Sequence, residues 1–369
     1  MDPRSVVHAL LEKAQVRVNG SQAGDILVHD DRFYARILAE GSLGLGESYM
    51  EGWWDADHLD EFFFKIDSAE LDKAVHDTHS LLNTVKARLF NMQDKDRSKR
   101  VAQCHYDLSH EFYERMLGPH MQYTCAYWKQ AGTLAEAQEQ KLELICRKLQ
   151  LRPGERVLEL GCGWGGFARY AALHYGCSVV AYNISEQQVS YARRWCAGLP
   201  VEIRLGDYRD AAGEYEKVAA IGICEHVGYK NYRTLMEVIH RTVRPHGLAL
   251  LHSIGNNAST AIGDPWFDKY IFPGGMLPSV AQLSLAMEGL FVMEDWHNFG
   301  TDYDRTLLAW QENIDRHRGQ WSAEFDDRFF RMWRYYLLSL AGAFRARTIH
   351  LWQIVLSKRG CLGGYESVR

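Results

Sequence analysis

Near the start of the chain Val6, Val7, Leu10, Leu11 and Ala14 recur at helical spacing and predict an amphipathic helix. Residues 26–29 read as a short strand, and residues 33–40 and 59–66 as helices. Between them, residues 41–57 (GSLGLGESYMEGWWDAD) place Gly44 and Gly46 as in a nucleotide loop. No strand clearly precedes them, so turns packing Trp53 and Trp54 are expected instead. Residues 105–117 (HYDLSHEFYERML) predict a helix capped by Asp107 or Ser109, with an aromatic stripe after the cap. Residues 121–128 (MQYTCAYW) gather polar-tipped aromatics around Cys125, and residues 135–149 form a strong helix. From there strand and helix patterns alternate. Val157, Leu158 and Leu160 make a short buried strand, followed by strands at 178–182, 201–205, 218–223 and 248–254. Helices are expected at 167–174, at 185–197 with Ser185 as cap, and at 232–243. Residues 291–298 and 349–357 supply the last two strands, the latter after a long helix at 326–348. Such alternation predicts an α/β class: a Rossmann-like, seven-stranded, mostly parallel sheet covered on both faces, beside a smaller, mainly helical N-terminal domain.

The stretch joining the first of these strands to its helix is RVLELGCGWGG, residues 156–166. Its glycines let the backbone turn sharply and approach a ligand, and the helix then presents its N-terminal N–H groups. Dinucleotide dehydrogenases and S-adenosylmethionine methyltransferases share such a unit, and a tight turn without ligand is the plain alternative. Glu159 tilts the spacing toward the sulfonium cofactor, because a carboxylate can face its cationic amino-acid end but would repel a nucleotide phosphate. The second strand ends VVAYNISEQQ, with Asn183 and Gln188 but no carboxylate at its tip. That counts against NAD, whose ribose is usually held there by an acidic residue, and departs from many S-adenosylmethionine enzymes as well. Asp207 and Tyr208, after the third strand, are placed to hold and stack an adenine. Ligands of such sheets sit beyond the carboxyl ends of the strands, which puts residues 161–166, Asn183, Asp207, Glu225 and His252 around one crevice.

With 369 residues the chain has room for two domains. We expect an N-terminal domain at 1–85 for lipid docking or dimerisation, a charged linker at 86–104, and a main domain at 105–369. An aromatic insertion at about 256–290, centred on DPWFDKYIFPGGMLPS, reads as a lid over an apolar substrate, with a structural helix–turn packed on the sheet as the alternative. An apolar content of 47% and a charged content of 24% are those of a soluble globular protein. The net charge of −5 argues against a surface that wraps nucleic acid. The 11 Trp, 19 Tyr and 15 Phe suit a core and also a site for an apolar chain or a cation. Charged residues interrupt the first twenty positions, and no apolar run is long enough to span a bilayer, so membrane contact is expected to be peripheral. The eight cysteines form no CxxC pair, as free thiols in a reducing cytosol would. The sixteen histidines show no metal-ligand spacing; His76 and His79 read as surface residues, and no metal site is expected.

Three further stretches carry polar tips. GICEHVG sets Glu225 and His226 just past the fourth strand, as a catalytic acid or base or as a solvated capping pair. LALLHSIG puts His252 in an otherwise apolar strand, and DYDRTLLAW contains Tyr303. With HYDLSHEFY, MQYTCAYW, VLELGCGWGGFA, DPWFDKYIFPGG, EDWHNFGTDYDRTL and AGAFRAR, these stretches resemble the cyclopropane-fatty-acyl-phospholipid synthase family over nearly the whole chain. GSLGLGESYMEGWW extends the resemblance into the N-terminal domain, which the shorter mycolic-acid-modifying relatives lack.

The resemblance implies methylene transfer from S-adenosylmethionine to a cis double bond of an acyl chain in a membrane phospholipid. The alkene takes the sulfonium methyl, and loss of a proton from the resulting carbocation closes the ring. It further implies a bound bicarbonate as base, held by backbone N–H groups at Cys125 and Ile254 and by the side chains of Glu225, His252 and Tyr303. Cofactor contacts would fall on Tyr123, Thr124, Glu159, Gly161, Gly163, Asn183, Gln188, Asp207 and Tyr208. A homodimer working from the cytoplasm on the inner leaflet is implied as well. Leu340 stands where family members often carry a cysteine, and Thr124 where a serine is common. The rival readings are a C-methyltransferase acting on another lipid and a non-catalytic lipid-binding protein.

Overall fold

A computed structural model of the chain describes residues 2–71, 110–321 and 323–369. The expected linker at 86–104, the cap at Asp107 or Ser109, and His76 and His79 lie outside the described residues. Contacts between Cα atoms divide the chain into two compact units. The first comprises Met1–Phe90, Ala261–Pro273 and Tyr303–Ile349, and the second comprises the rest. The division is therefore discontinuous. Two later stretches join the N-terminal one, where the sequence suggested a contiguous N-terminal domain.

In the first unit the helix Pro3–Lys13 begins at Asp2, whose carboxylate accepts from the N–H groups of Arg4 and Ser5 at 3.3 and 3.2 Å. Short strands β1 (Leu27–Val28) and β2 (Trp54–Asp55) pair antiparallel. The helix expected at 33–40 runs from Arg32 to Met50 and takes in the glycine-rich stretch that was expected to be turns. It kinks at Gly41, where φ is 57°. The glycines after the kink serve helix packing. A side chain at Gly46 would come within 2.3 Å of the Trp266 ring, and Trp266 is wholly buried. Trp266 sits in the helix Pro265–Tyr270, and its ring lies 4.4 Å from that of Tyr335. Residues 261–273 of the expected lid insertion thus belong to this unit, while residues 256–260 and 274–290 belong to the second.

The AGAFRAR stretch has a comparable packing role. It closes the helix Asp327–Arg345, which also carries Leu340, and a Cβ on Gly342 would lie 2.6 Å from the backbone nitrogen of Phe64 in the helix Leu59–Ser68. Arg345 then binds Asp60 at 2.8 Å, Glu61 at 3.1 Å and Asp304 at 2.9 Å.

The second unit is built on one seven-stranded sheet. Its strands are β3 (Arg156–Leu160), β4 (Ser178–Asn183), β5 (Val201–Leu205), β6 (Tyr215–Ile221), β7 (Val243–Asn256), β8 (Val292–Asn298) and β9 (Ile349–Ser357), in the order β5-β4-β3-β6-β7-β9-β8. β3 to β7 pair in parallel, and β8 pairs antiparallel with β9. The continuous apolar runs of β3, β6 and β7 follow from burial on both faces. One core contains Leu158, Leu160, Val218, Leu235 and Ile239, and the other Val157, Val179, Phe167, Ile145 and Ala219. Odd and even residues of each strand feed opposite cores. β6 starts earlier than its expected span and ends at Ile221, because Gly222 turns the chain with φ 65°.

The Gly342 contact is with backbone, so a new methyl cannot be relieved by a change of rotamer. Overpacking of this kind costs about 1–3 kcal/mol, against roughly 1 kcal/mol of helix propensity that alanine returns. Gly342→Ala is expected to lower the thermal midpoint in scanning calorimetry; an unchanged midpoint would mean the two helices separate freely.

Candidate active site

The predicted cofactor residues lie at the carboxyl ends of β3, β4 and β5. After Leu160 the chain turns at Gly161 (φ 77°), so that the N–H groups of Gly161 and Cys162 both donate to the Tyr182 carbonyl at 3.0 Å. Asn183, the last residue of β4, ties this turn to the next helix. Its amide donates to the Gly163 carbonyl at 2.9 Å and to Gln188 Oε1 at 2.8 Å. Asp207 accepts from both Nε and Nη2 of Arg209 at 2.7 Å. Tyr208 is buried, and its hydroxyl has no partner among the described residues.

The Tyr123–Cys125 segment, with Gln122 before it, lies against the end of β6 and the start of the helix after β3. A Cβ on Gly222 would come within 2.7 Å of Thr124 Cγ2, and one on Gly166 within 2.0 Å of Gln122 Nε2. Tyr123 meets the ring of Trp164 edge-on at 6.5 Å. A residue that sequence reasoning missed secures this segment. Lys141, fully buried on the helix Leu134–Lys148, donates to Thr124 Oγ1 at 2.9 Å and to Gln122 Oε1. Its ammonium also attracts Glu159, a buried carboxyl whose Oε2 has no partner among the described residues. Burial pushes the carboxyl of Glu159 up and the amine of Lys141 down, and their mutual attraction opposes both shifts.

Three of the predicted catalytic residues, Glu225, His252 and Ile254, sit at the ends of β6 and β7. Glu225 opens a single helical turn, Cys224–Val227, and its Oε1 accepts from the Ile254 N–H at 2.6 Å. The Ile254 amide, expected to donate to a bound anion, is engaged by Glu225 in this structure. The other carboxyl oxygen, Oε2, is closed to solvent and has no partner among the described residues. Burial pushes Glu225 up to about 7, against the hydrogen bonds from Ile254 and Ser253. Burial likewise pushes its neighbour His226 down to about 4, so that imidazole is neutral.

His252 is 1% exposed. Its Nδ1 lies 3.2 Å from Gln353 Nε2, and its own Nε2 has no partner among the described residues. Burial, with the charges of Lys141 and Lys148, holds the ring neutral. Cys125 is wholly buried, with its thiol donating to the Ala126 carbonyl at 3.1 Å. Tyr303 falls in the first unit, where its ring stacks on Phe344 at 4.6 Å and meets Trp310 edge-on at 5.9 Å. Among the described residues no group of three or more histidine, cysteine or carboxylate side chains is placed to hold a metal.

The second unit therefore joins a carboxyl group and a neutral imidazole, each with one atom tethered and one atom open. Each open atom can meet a hydrogen-bonding group of a ligand.

A family model described as mycolic acid cyclopropane synthetase matches residues 93–354. The cyclopropane-fatty-acyl-phospholipid synthase of Escherichia coli (strain K12) is 49% identical over 365 residues, spanning 99% of this chain and 95% of that protein. Two solved structures are similar over the whole of their own shorter chains. The cyclopropane synthase MmaA2 from Mycobacterium tuberculosis covers 70% of this chain and 98% of its own, with 27% identity and a TM-score of 0.66. The mycolic acid cyclopropane synthase CmaA1, complexed with SAH and CTAB, covers the same shares, with 28% identity and a TM-score of 0.65.

Glu225 gives this site a signature in stability. Its folded pKa of about 7 lies above the 4.5 of an ordinary glutamate, so the fold favours the protonated form. Its contribution is fully present below pH 4.5 and is lost as pH rises through about 7. Glutamine cannot ionise, so Glu225→Gln is expected to be the more stable protein at pH 8, by up to about 3 kcal/mol. At pH 5 the gap shrinks to under about 1 kcal/mol. Urea denaturation at the two pH values checks this; equal gaps at both would mean the carboxyl is ionised without cost.

Proposed function

The chain belongs to the mycolic acid cyclopropane synthetase family, and on that premise we propose that it transfers a methylene group from S-adenosylmethionine to the cis double bond of an unsaturated acyl chain in a membrane phospholipid. The observation that carries the reading is the pair of open, buried polar atoms, Glu225 Oε2 and His252 Nε2, on adjoining strand ends of a methyltransferase sheet.

S-adenosylmethionine supplies the carbon as an electrophilic methyl on a sulfonium. The residues present fit it. Glu159, buried with an open oxygen, suits the cationic amino-acid end, and the Gly161–Gly163 turn gives close backbone approach. Tyr123, Thr124, Asn183, Gln188, Asp207 and Tyr208 would complete the holders. The alkene π electrons form the new carbon–carbon bond as the carbon–sulfur pair leaves with sulfur, and positive charge develops on the neighbouring acyl carbon. A C–H electron pair of the added methyl then closes the ring, and its proton must go to a base.

Bicarbonate would supply that base, and the open atoms suit such an anion: His252 Nε2–H would donate to it, and Glu225 Oε2, when the carboxyl is ionised, would accept its O–H. The backbone amide of Cys125 is the further donor that the motif assigns. A dry setting matters, because water would trap the cation as an alcohol. His252 and Oε2 of Glu225 are shut away from solvent, and aromatic faces can stabilise cations without reacting. Among the described residues no helix is long and apolar enough to cross a membrane. The reading has the protein act at the inner leaflet as a peripheral homodimer, with residues 1–85 as the part that docks on lipid or pairs the subunits.

The test is incubation with methyl-labelled S-adenosylmethionine and vesicles of cis-unsaturated phospholipid, followed by NMR of the released acyl chain. A labelled cyclopropane carbon is expected, and a methyl-branched alkene would make the protein a C-methyltransferase instead. Depleting carbon dioxide and bicarbonate should slow the wild type. Glu225→Gln should lose about a hundredfold or more in kcat, and full activity with intact bicarbonate dependence would remove Glu225 from the base site.

A further inference from the structure

Gln353 interrupts the apolar run LWQIVL of β9 and is wholly buried. A polar side chain there has to be justified by a partner. Its Nε2 lies 3.2 Å from His252 Nδ1, and its Oε1 has no partner among the described residues. An amide nitrogen can only donate, so Nδ1 must accept. A neutral imidazole that accepts at Nδ1 carries its proton on Nε2. The reversed amide would turn its carbonyl to an Nδ1–H and bury an NH₂ group with two unmet donors. The observed arrangement leaves one carbonyl and one N–H unmet, and it is the less costly because a buried carbonyl without a partner is better tolerated than a buried N–H.

We propose that Gln353 is a positioning residue that locks His252 in the Nε2–H tautomer, so that the ring offers a donor and never a lone pair to the anion beside Glu225. The inference rests on the reading of His252 as an anion donor, but the tautomer can be observed without turnover. The chemistry gives the lock a purpose. An imidazolium would also donate, yet it would hand its proton to the bicarbonate and consume the base. The Nδ1–H tautomer would set a lone pair against a lone pair. A neutral Nε2–H is the form that holds a basic anion and leaves it basic.

The surroundings agree. The charged groups acting on the ring are Lys141 and Lys148, both of which disfavour an imidazolium. Lys148 is itself held 3.6 Å from Asp295 and 3.1 Å from His297 Nδ1. Glu225 is directed to the backbone of Ile254. The Phe299 ring, 6.1 Å away, closes the aromatic side.

The experiment is nitrogen-15 NMR of the full chain with labelled histidine, the His252 signals being assigned by their loss in His252→Ala. Wild type should show a protonated Nε2 and a bare Nδ1, unchanged from pH 6 to 8. Gln353→Met removes the donor and should shift the signals toward the Nδ1–H form, with kcat falling about ten- to a hundredfold and KM for S-adenosylmethionine unchanged. Gln353→Glu puts an acceptor at the same place, so Nδ1 becomes protonated. Its residual activity should fall as pH rises, because only its imidazolium still donates at Nε2. A protonated Nδ1 in the wild type, or a tautomer indifferent to Gln353→Met, would overturn the proposal and leave the role of Glu225 standing. A shifted tautomer with undiminished turnover would instead remove His252 from the reaction, and with it both the donor reading and the positioning role.

Discussion

A buried polar atom without a partner costs about 1–3 kcal/mol, and among the described residues the carboxyl end of this one sheet holds Glu159 Oε2, Glu225 Oε2 and His252 Nε2 in that condition. Such atoms persist only if the groups carrying them cannot turn toward one another. Each group of the Glu225–His252 pair is therefore tethered by its other polar atom, Glu225 Oε1 by the Ile254 amide and His252 Nδ1 by Gln353. The tethers come from strands, and strands are held by two apolar cores, one on each face. Core packing is thus what keeps the open atoms open.

The cofactor side follows the same rule with different donors. Asn183 spends its amide on the Gly163 carbonyl and on Gln188, so the glycine turn and the following helix move as one piece. Lys141 fixes the Gln122–Thr124 segment from beneath, and Gly222 leaves the room in which Thr124 rests on the end of β6. Parallel pairing sets all these ends at one level, because Leu160 pairs with Tyr182 and Ala220, and Ile221 with His252.

Most of the sheet was legible in the sequence, because strands buried on both faces read as short apolar runs between glycine or polar turns. Strand ends proved less so: β6 stops at Ile221 because Gly222 adopts a positive φ, which no periodicity reveals. The stretch GSLGLGESYM misled for a related reason. Glycine marks a turn as a rule, but here it thins one helix so that Trp266, distant in sequence, can lie on it. The discontinuous first unit was hidden for the same cause, since Trp266 and Gly342 find their partners through tertiary contacts alone. At the candidate site, Glu225 and His252 could be singled out because polar residues stood out at strand ends. Lys141 and Gln353 were missed: a lysine on a charged amphipathic helix looks solvated, and a glutamine inside a strand announces no chemistry. The visible signal for Gln353 was its place within LWQIVL.

The charge balance joins these features to the proposed reaction. With His252 neutral and Lys141 set against Glu159, the resident groups at the strand ends come close to cancelling before any ligand arrives. A sulfonium donor brings one positive charge into that space and bicarbonate one negative charge, so the two ligands neutralise each other where either alone would be poorly solvated. On that proposal, binding of the pair would be favoured over binding of one, and positive charge on the acyl carbon would develop beside an anion already present. A site built with a permanent extra carboxylate would hold the sulfonium more tightly in the ground state. It would also repel the base, and ring closure needs the base more.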